Sequence, residues 1–278
     1  MKQDVPIHQL LFSTVRIEAQ LKDGISIGTA FIVLYESEGK QYLFLVTNKH
    51  VIQTSNIGRF FFTKADTTGP LIGQKFEITV QNFEKNWVVH PNNEIDIVVM
   101  PLVPLLKQIE EHGQKVYYRS IPLSLIPSKE QEASLTALEE IIFIGYPSGI
   151  YDTTNLLPII RKGITATPIS IDYEGKPLFL IDAAVFRGSS GSPVLIYNQG
   201  SYGTPQGIVI GSRILFLGTL SQVIIREEKG RIDFVEIPVR QIPIVKTEQV
   251  LNLGLVIKAR TIIETIESFL QTRGEIKC

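Results

Sequence analysis

The chain has 278 residues, 44% hydrophobic and 20% charged, a globular balance with ample core and not a disordered one. Its 27 basic and 28 acidic side chains nearly cancel, which argues against nucleic acid or an anionic membrane surface as partner. The one cysteine, Cys278, stands last, so no disulfide within the chain is possible and a disulfide-stapled secreted scaffold is excluded.

At the start, "MKQDVPIHQLLFSTVRIEA" sets Asp4 and His8 before a short apolar patch of Leu10, Leu11 and Phe12. A secretory core needs roughly 7–15 apolar residues, so no signal peptide is expected. No apolar run approaches the roughly 20 residues of a membrane-spanning helix. The expectation is a soluble cytoplasmic protein.

Along the chain, "GTAFIVLYE", "YLFLVTNKHVI", "KFEITV" and "DIVVMPL" read as short strands rich in Val, Ile, Leu and Phe. Residues 105 to 137 then lose the strand pattern and gain charge and proline, the composition of a connection between two β units. Strands resume with "EEIIFIGYP", "GSPVLIY", "GIVIGSRILFLG" and "DFVEIPV". Near the end, "RTIIETIESFLQT" carries Ile262, Ile263, Ile266, Phe269 and Leu270 in a helical stripe, expected to pack on the second β unit. Many short strands without alternating helices predict an all-β sandwich or barrel architecture.

The stretch "FRGSSGSPV", residues 186 to 194, reads two ways. Gly and Ser in a short run make an ordinary exposed turn. The same run suits a loop that holds one serine against a base and aims backbone N–H groups at an oxyanion. A serine is a weak nucleophile unless a base takes its proton and a third group orients that base. Four histidines are available. His8 lies in the tail, His112 in the charged connection, and His90 before Pro91 in turn-like chemistry. His50 stands just past the apolar run "YLFLVTN", after Lys49, where a rigid scaffold would hold it; a core histidine bonded to a backbone carbonyl is the competing reading. Asp96 opens the apolar strand "DIVVMPL" and needs a partner there, with Glu94 the more exposed alternative.

"LVTNKHV", "EIDIVVMPL" and "GSSGSPV", in that order, resemble the chymotrypsin-type, trypsin-like serine peptidases. "DAAVFRGSSG", "IGYPSG" and "RKGITATP" are similar to the bacterial trypsin-like and HtrA-type branch. The resemblance implies two six-stranded antiparallel β-barrels with a C-terminal helix. It divides the chain into a first barrel over 8–107, a connection over 108–136, a second barrel over 137–246 and a strand and helix extension over 247–278. It implies Ser190 as nucleophile, His50 as general base and Asp96 as the orienting carboxylate. The oxyanion hole falls to the N–H groups of Gly188 and Ser190. Ala184 becomes the base of the substrate pocket, with Ile210, Gly211 and Ser212 as a wall. Such an enzyme cleaves protein or peptide substrates with no cofactor and no metal.

Three departures qualify the resemblance. Zymogen-activated relatives carry an aspartate before the nucleophile, where this chain has uncharged Ser189, so activation by an inserted N-terminus is not expected. The HtrA branch usually continues into a PDZ domain; the stretch after residue 246 is shorter than the roughly 50 residues of a small domain, so none is expected. Ser192 replaces the second glycine of the commoner motif. The alternative function is a latent trypsin-like module that binds protein until a regulatory partner orders the oxyanion loop.

Overall fold

The computed structural model describes residues 6–147, 150–186, 188–231 and 244–276, with the backbone alone over 223–231 and 244–251. Ser148, Gly149, Arg187 and the expected strand "DFVEIPV" lie outside the described residues.

The first half runs α1 (Pro6–Leu10), β1 (Thr14–Leu21), β2 (Gly24–Ser37), β3 (Lys40–Thr47), α2 (Lys49–Ile52), β4 (Ile57–Ala65), β5 (Pro70–Gln81), β6 (Val88–Val89) and β7 (Val98–Pro101). Then come α3 (Leu102–Glu111), β8 (Val116–Tyr117), β9 (Ile121–Pro122) and α4 (Lys129–Ser134). The second half holds β10 (Glu140–Gly145), β11 (Ile159–Thr165), β12 (Leu178–Asp182), β13 (Pro193–Asn198), β14 (Ser201–Thr204), β15 (Gly207–Ile210), β16 (Arg213–Arg231), β17 (Ile244–Lys258) and α5 (Arg260–Thr272).

The fold is mostly β. The second unit is a closed six-strand barrel, in the order β10-β11-β12-β17-β16-β13. The first unit is a sheet in the order β5-β4-β1-β2-β3-β7-β6, with β8 on β4 and β9 on β2. Of the two six-stranded barrels expected, one ring is closed in the pairing pattern and the other is not. The end strand β6 is two residues long. It stops at His90, and the following Pro91 has no N–H to continue a ladder. The core of this unit is covered by α3, whose Leu102, Leu105 and Ile109 are buried with Leu45, Phe60 and Met100.

The sequence reading differs at three further places. The connection expected over 108–136 carries two short strands, β8 and β9, that dock back onto the first sheet. β17 completes the second barrel up to Lys258, where an extension was expected from residue 247. The C-terminal helix is present, but α5 packs back onto the first unit. Phe269 meets Phe44 edge-on at 6.0 Å, within the roughly 4.5–7 Å of aromatic pairs, and Tyr35 Oη donates to Glu267 at 2.9 Å. The stripe of Ile262, Ile266 and Leu270 is buried in one core with Phe31, Val33 and Val99 of the first unit and Leu195, Phe216 and Ile257 of the barrel. Each such side chain stabilises the fold by about 1.5–3 kcal/mol relative to exposure. The helix therefore ties the two halves together behind the cleft.

Candidate active site

β3 ends at buried Thr47, and a single helical turn, α2, carries His50 out of the sheet. Val51 and Ile52 of that turn are buried, which anchors it from below. Gly28 faces Val51 so closely that a Cβ there would lie 2.5 Å from its Cγ1. The His50 ring is left partly exposed, as a group that must meet a ligand requires.

Asp96 sits two residues before β7. Its Oδ2 lies 2.6 Å from His50 Nδ1, and its Oδ1 accepts the His50 backbone N–H at 3.0 Å. Ser221 Oγ donates to the same Oδ2 at 2.7 Å, and Asn48 Nδ2 donates to the Asp96 carbonyl at 2.8 Å. Burial works to raise the Asp96 pKa; the His50 ring and the Ser221 hydroxyl outweigh it and hold the carboxyl below the ordinary carboxylate range. A carboxylate that accepts from Nδ1–H leaves Nε2 as the free, basic nitrogen of a neutral His50.

Ser190 stands in the loop before β13. Its Oγ donates to the Ser221 carbonyl at 2.8 Å. Ser221 thus touches both Asp96 and Ser190, and through it the structure brings the three expected residues into one cluster. The loop is locked from two sides. Thr29 N donates to the Ser190 carbonyl at 3.0 Å, and Gly191 N donates to Leu220 O at 2.8 Å. Gly191 has φ 84°, and a Cβ on it would lie 1.8 Å from the Thr29 carbonyl oxygen, so only glycine fits. Gly188 has φ 85°, a conformation that favours glycine, and the neighbouring Ser189 N donates to Phe186 O at 3.0 Å.

Sequence reading missed Ser221, Thr29 and Asn48. Asn48 is two residues from His50 and was within reach of a close look. Ser221 and Thr29 sit inside strand-like runs and carry no local signal.

The expected pocket wall is corrected. Ile210 ends the separate hairpin of β14 with β15, in which Ser201 pairs Ile210, and Gly211 and Ser212 follow it directly. Ile210 is 90% exposed. Asn198 pairs Arg213 at one end of β13 and Pro193 pairs Thr219 at the other. Five strand steps, roughly 17 Å, thus separate that hairpin from the nucleophile loop. The expected single strand "GIVIGSRILFLG" breaks at Gly211, which bonds back to Gly200, and Ser221 takes the place beside Ser190. Arg213, near the hairpin, bonds Glu139 at 2.6 Å and Asn198 at 3.0 Å. Ala184 is half-buried in the loop after β12, and Asp182 is exposed. A cleft of about 310 Å³ opens beside Asp96 and Ser221, lined by Ile95, Pro177, Leu178 and Leu255 among others.

The trypsin-like peptidase domain matches residues 28–202, more than half of the chain and all three members of the cluster. The chain belongs to this family. Among solved structures it is similar to an HtrA-type protease, AlgW, bound to a tripeptide, at 14% identity and a TM-score of 0.49, covering 95% of this chain and 62% of that one. It is also similar to the inactive form of Rv3671c from M. tuberculosis H37Rv, at 14% identity and a TM-score of 0.46, covering 97% and 92%. A third likeness is to the serine endoprotease of Yersinia pestis, at 14% identity and a TM-score of 0.47, covering 95% and 65%. Among curated proteins it is 28% identical over 152 residues to the actin-like protein ARP6 of Debaryomyces hansenii, covering 48% of this chain. The chain spans 36% of the length of that relative.

Proposed function

We propose that the protein is a serine endopeptidase that cleaves peptide bonds through His50, Asp96 and Ser190. The observation that carries this reading is the two-point grip of one carboxylate on one histidine, Oδ2 on Nδ1 and Oδ1 on the backbone N–H, with Ser221 joining that pair to Ser190. Asp96, kept ionised, fixes the tautomer that leaves His50 Nε2 as acceptor. Ser190 Oγ turns from the Ser221 carbonyl to Nε2, gives up its proton and attacks the scissile carbonyl. His50 then hands that proton to the leaving amine, which departs and leaves an acyl-enzyme. Water, deprotonated by His50, attacks the ester and releases the acid and Ser190.

The N–H groups of Gly188 and Ser190 are assigned to the oxyanion. In this loop Ser189, Gly191 and Ser192 donate to Phe186, Leu220 and Ser189 carbonyls. Gly188 and Ser190 have no backbone acceptor recorded among the described residues, so both remain available to a developing negative charge. Ala184 at the pocket base offers no carboxylate for a cation, so cleavage after a small or medium apolar residue is expected. The single cysteine suits a reducing, cytoplasmic setting.

The bond from Ser190 Oγ to Ser221 O favours a second reading, a module held latent until a partner releases that hydroxyl. A peptide library digested by the wild type, with Ser190→Ala as blank, tests both. New termini in the wild type alone, clustered after Ala, Val or Leu, support the enzyme. No new termini support the latent module, and cuts mainly after Arg or Lys overturn the pocket.

A further inference from the structure

Outside the cluster, one buried histidine takes no part in the chemistry above. His90 directly follows β6 and is 6% exposed. Both of its ring nitrogens are engaged. Nδ1 lies 2.9 Å from the Asn92 backbone N–H and 3.3 Å from the Asn92 carbonyl oxygen, and the shorter contact assigns it as acceptor. That tautomer puts the ring proton on Nε2, 3.1 Å from Glu264 Oε2, to which it donates. Glu264 projects from α5, between Ile262 and Ile266, which are fully buried in the shared core. The turn continues in the same manner: Asn92 Oδ1 accepts the Glu94 N–H at 3.0 Å, and Asn92 O accepts the Ile95 N–H at 3.1 Å. His90 N closes the turn on Ile97 O at 3.3 Å. The next residue in this closed turn is Asp96.

We propose that His90, held by Glu264, is a positioning residue that sets the Asp96 carboxylate under His50. This rests on the endopeptidase reading for its functional meaning, and on geometry alone for the coupling. The far end of the turn is held by the His50 N–H and Ser221 Oγ on the Asp96 carboxylate and by buried Ile95 and Ile97. Asn48 holds the Asp96 carbonyl, and Lys176 reaches Glu94 at 3.7 Å between two exposed side chains, a weak contact. Neither fixes the start of the turn. The His90 ring does so twice, once within the turn and once to a helix that is itself clamped between the two halves of the molecule. Loss of the Nε2 contact frees one end of the turn, and the Asp96 Oδ2 to His50 Nδ1 contact of 2.6 Å loosens with it. A shift of one ångström in a catalytic constellation costs up to about 100-fold in rate.

The test uses Glu264→Ala, Glu264→Gln and His90→Gln in the full chain. Glu264 is half exposed, so its variants fold. Two readouts are taken at one temperature below every melting point. One is the rate of labelling by a fluorophosphonate; the other is the low-field proton resonance of His50 Nδ1–H, assigned by its loss in His50→Ala. The resonance reports the His50–Asp96 bond whether or not the protein turns over, so the coupling is decided even if the wild type fails to label and the endopeptidase reading falls. Glu264→Ala is expected to slow labelling about 10-fold and to shift the resonance upfield. Glu264→Gln, whose amide oxygen still accepts the Nε2–H, is expected to restore both. His90→Gln, which keeps a donor for Glu264 but loses the Asn92 bond, is expected to shift the resonance as well. A wild-type resonance in both Glu264→Ala and His90→Gln overturns the proposal, as does a Glu264→Gln resonance displaced as far as that of Glu264→Ala.

Discussion

Asp96 is the residue whose surroundings say most. Its ionised form is favoured in the folded chain by His50 and Ser221 against the cost of burial. Its folded pKa therefore lies below the unfolded value of about 3.9. A group depressed in this way stabilises the fold above its unfolded pKa, and the contribution is lost as pH falls through the folded value. The urea midpoint of the wild type should exceed that of Asp96→Asn by most at neutral pH. The gap should narrow below about pH 4; a gap that stays constant to pH 3 contradicts the assignment. Ser221→Ala removes one donor from this carboxylate, a charged hydrogen bond of about 1.5–3 kcal/mol, and should lower kcat/KM about 10-fold or more while the chain remains folded. An unchanged kcat/KM would remove Ser221 from the account. His50, Asp96 and Ser190 were legible because each sits at the edge of an apolar run, where a polar residue needs a reason. Ser221 was not, because a serine within a strand carries no mark of the carboxylate it will face.

At the scale of elements, the Ser190 loop depends on close approach between the two units. Gly191 is held against Thr29 so tightly that Gly191→Ala places a methyl group on a carbonyl oxygen at φ 84°. The expected loss is about 3 kcal/mol or more, read by urea unfolding. A loss below 1 kcal/mol would mean the loop is free to move away. The helix α5 was visible as an apolar stripe, but its partner was not: a stripe reports that a face will be buried, not on what. Its burial against both halves predicts that Ile266→Ala costs about 2–5 kcal/mol in a single cooperative transition. Two separate transitions, with only the second half weakened, would contradict the tie. The hairpin β14–β15 was misread for a related reason. Its run "GIVIGSRI" is as apolar as a core strand, yet Ile208 and Ile210 are 81% and 90% exposed. Hydrophobicity marked a strand there without telling which sheet it joins.

Over the whole molecule, the order of the motifs carried more than any one of them. A histidine after one strand, an aspartate before another and a serine in a glycine-bearing loop are separated by long stretches, and contacts through Ser221 link them into one cluster. The family match over residues 28–202 agrees with that order. The unclosed ring of the first unit, and the return of α5 to that unit, depended on lengths and contacts that composition does not encode. The most direct test of the account is covalent labelling by a fluorophosphonate, followed by mass spectrometry of the intact chain, for wild type, Ser190→Ala and His50→Ala. The account predicts one adduct on Ser190 in the wild type, none in Ser190→Ala, and labelling slowed by several orders of magnitude in His50→Ala. Labelling of Ser190→Ala at the wild-type rate, or a wild type left unlabelled, would contradict it.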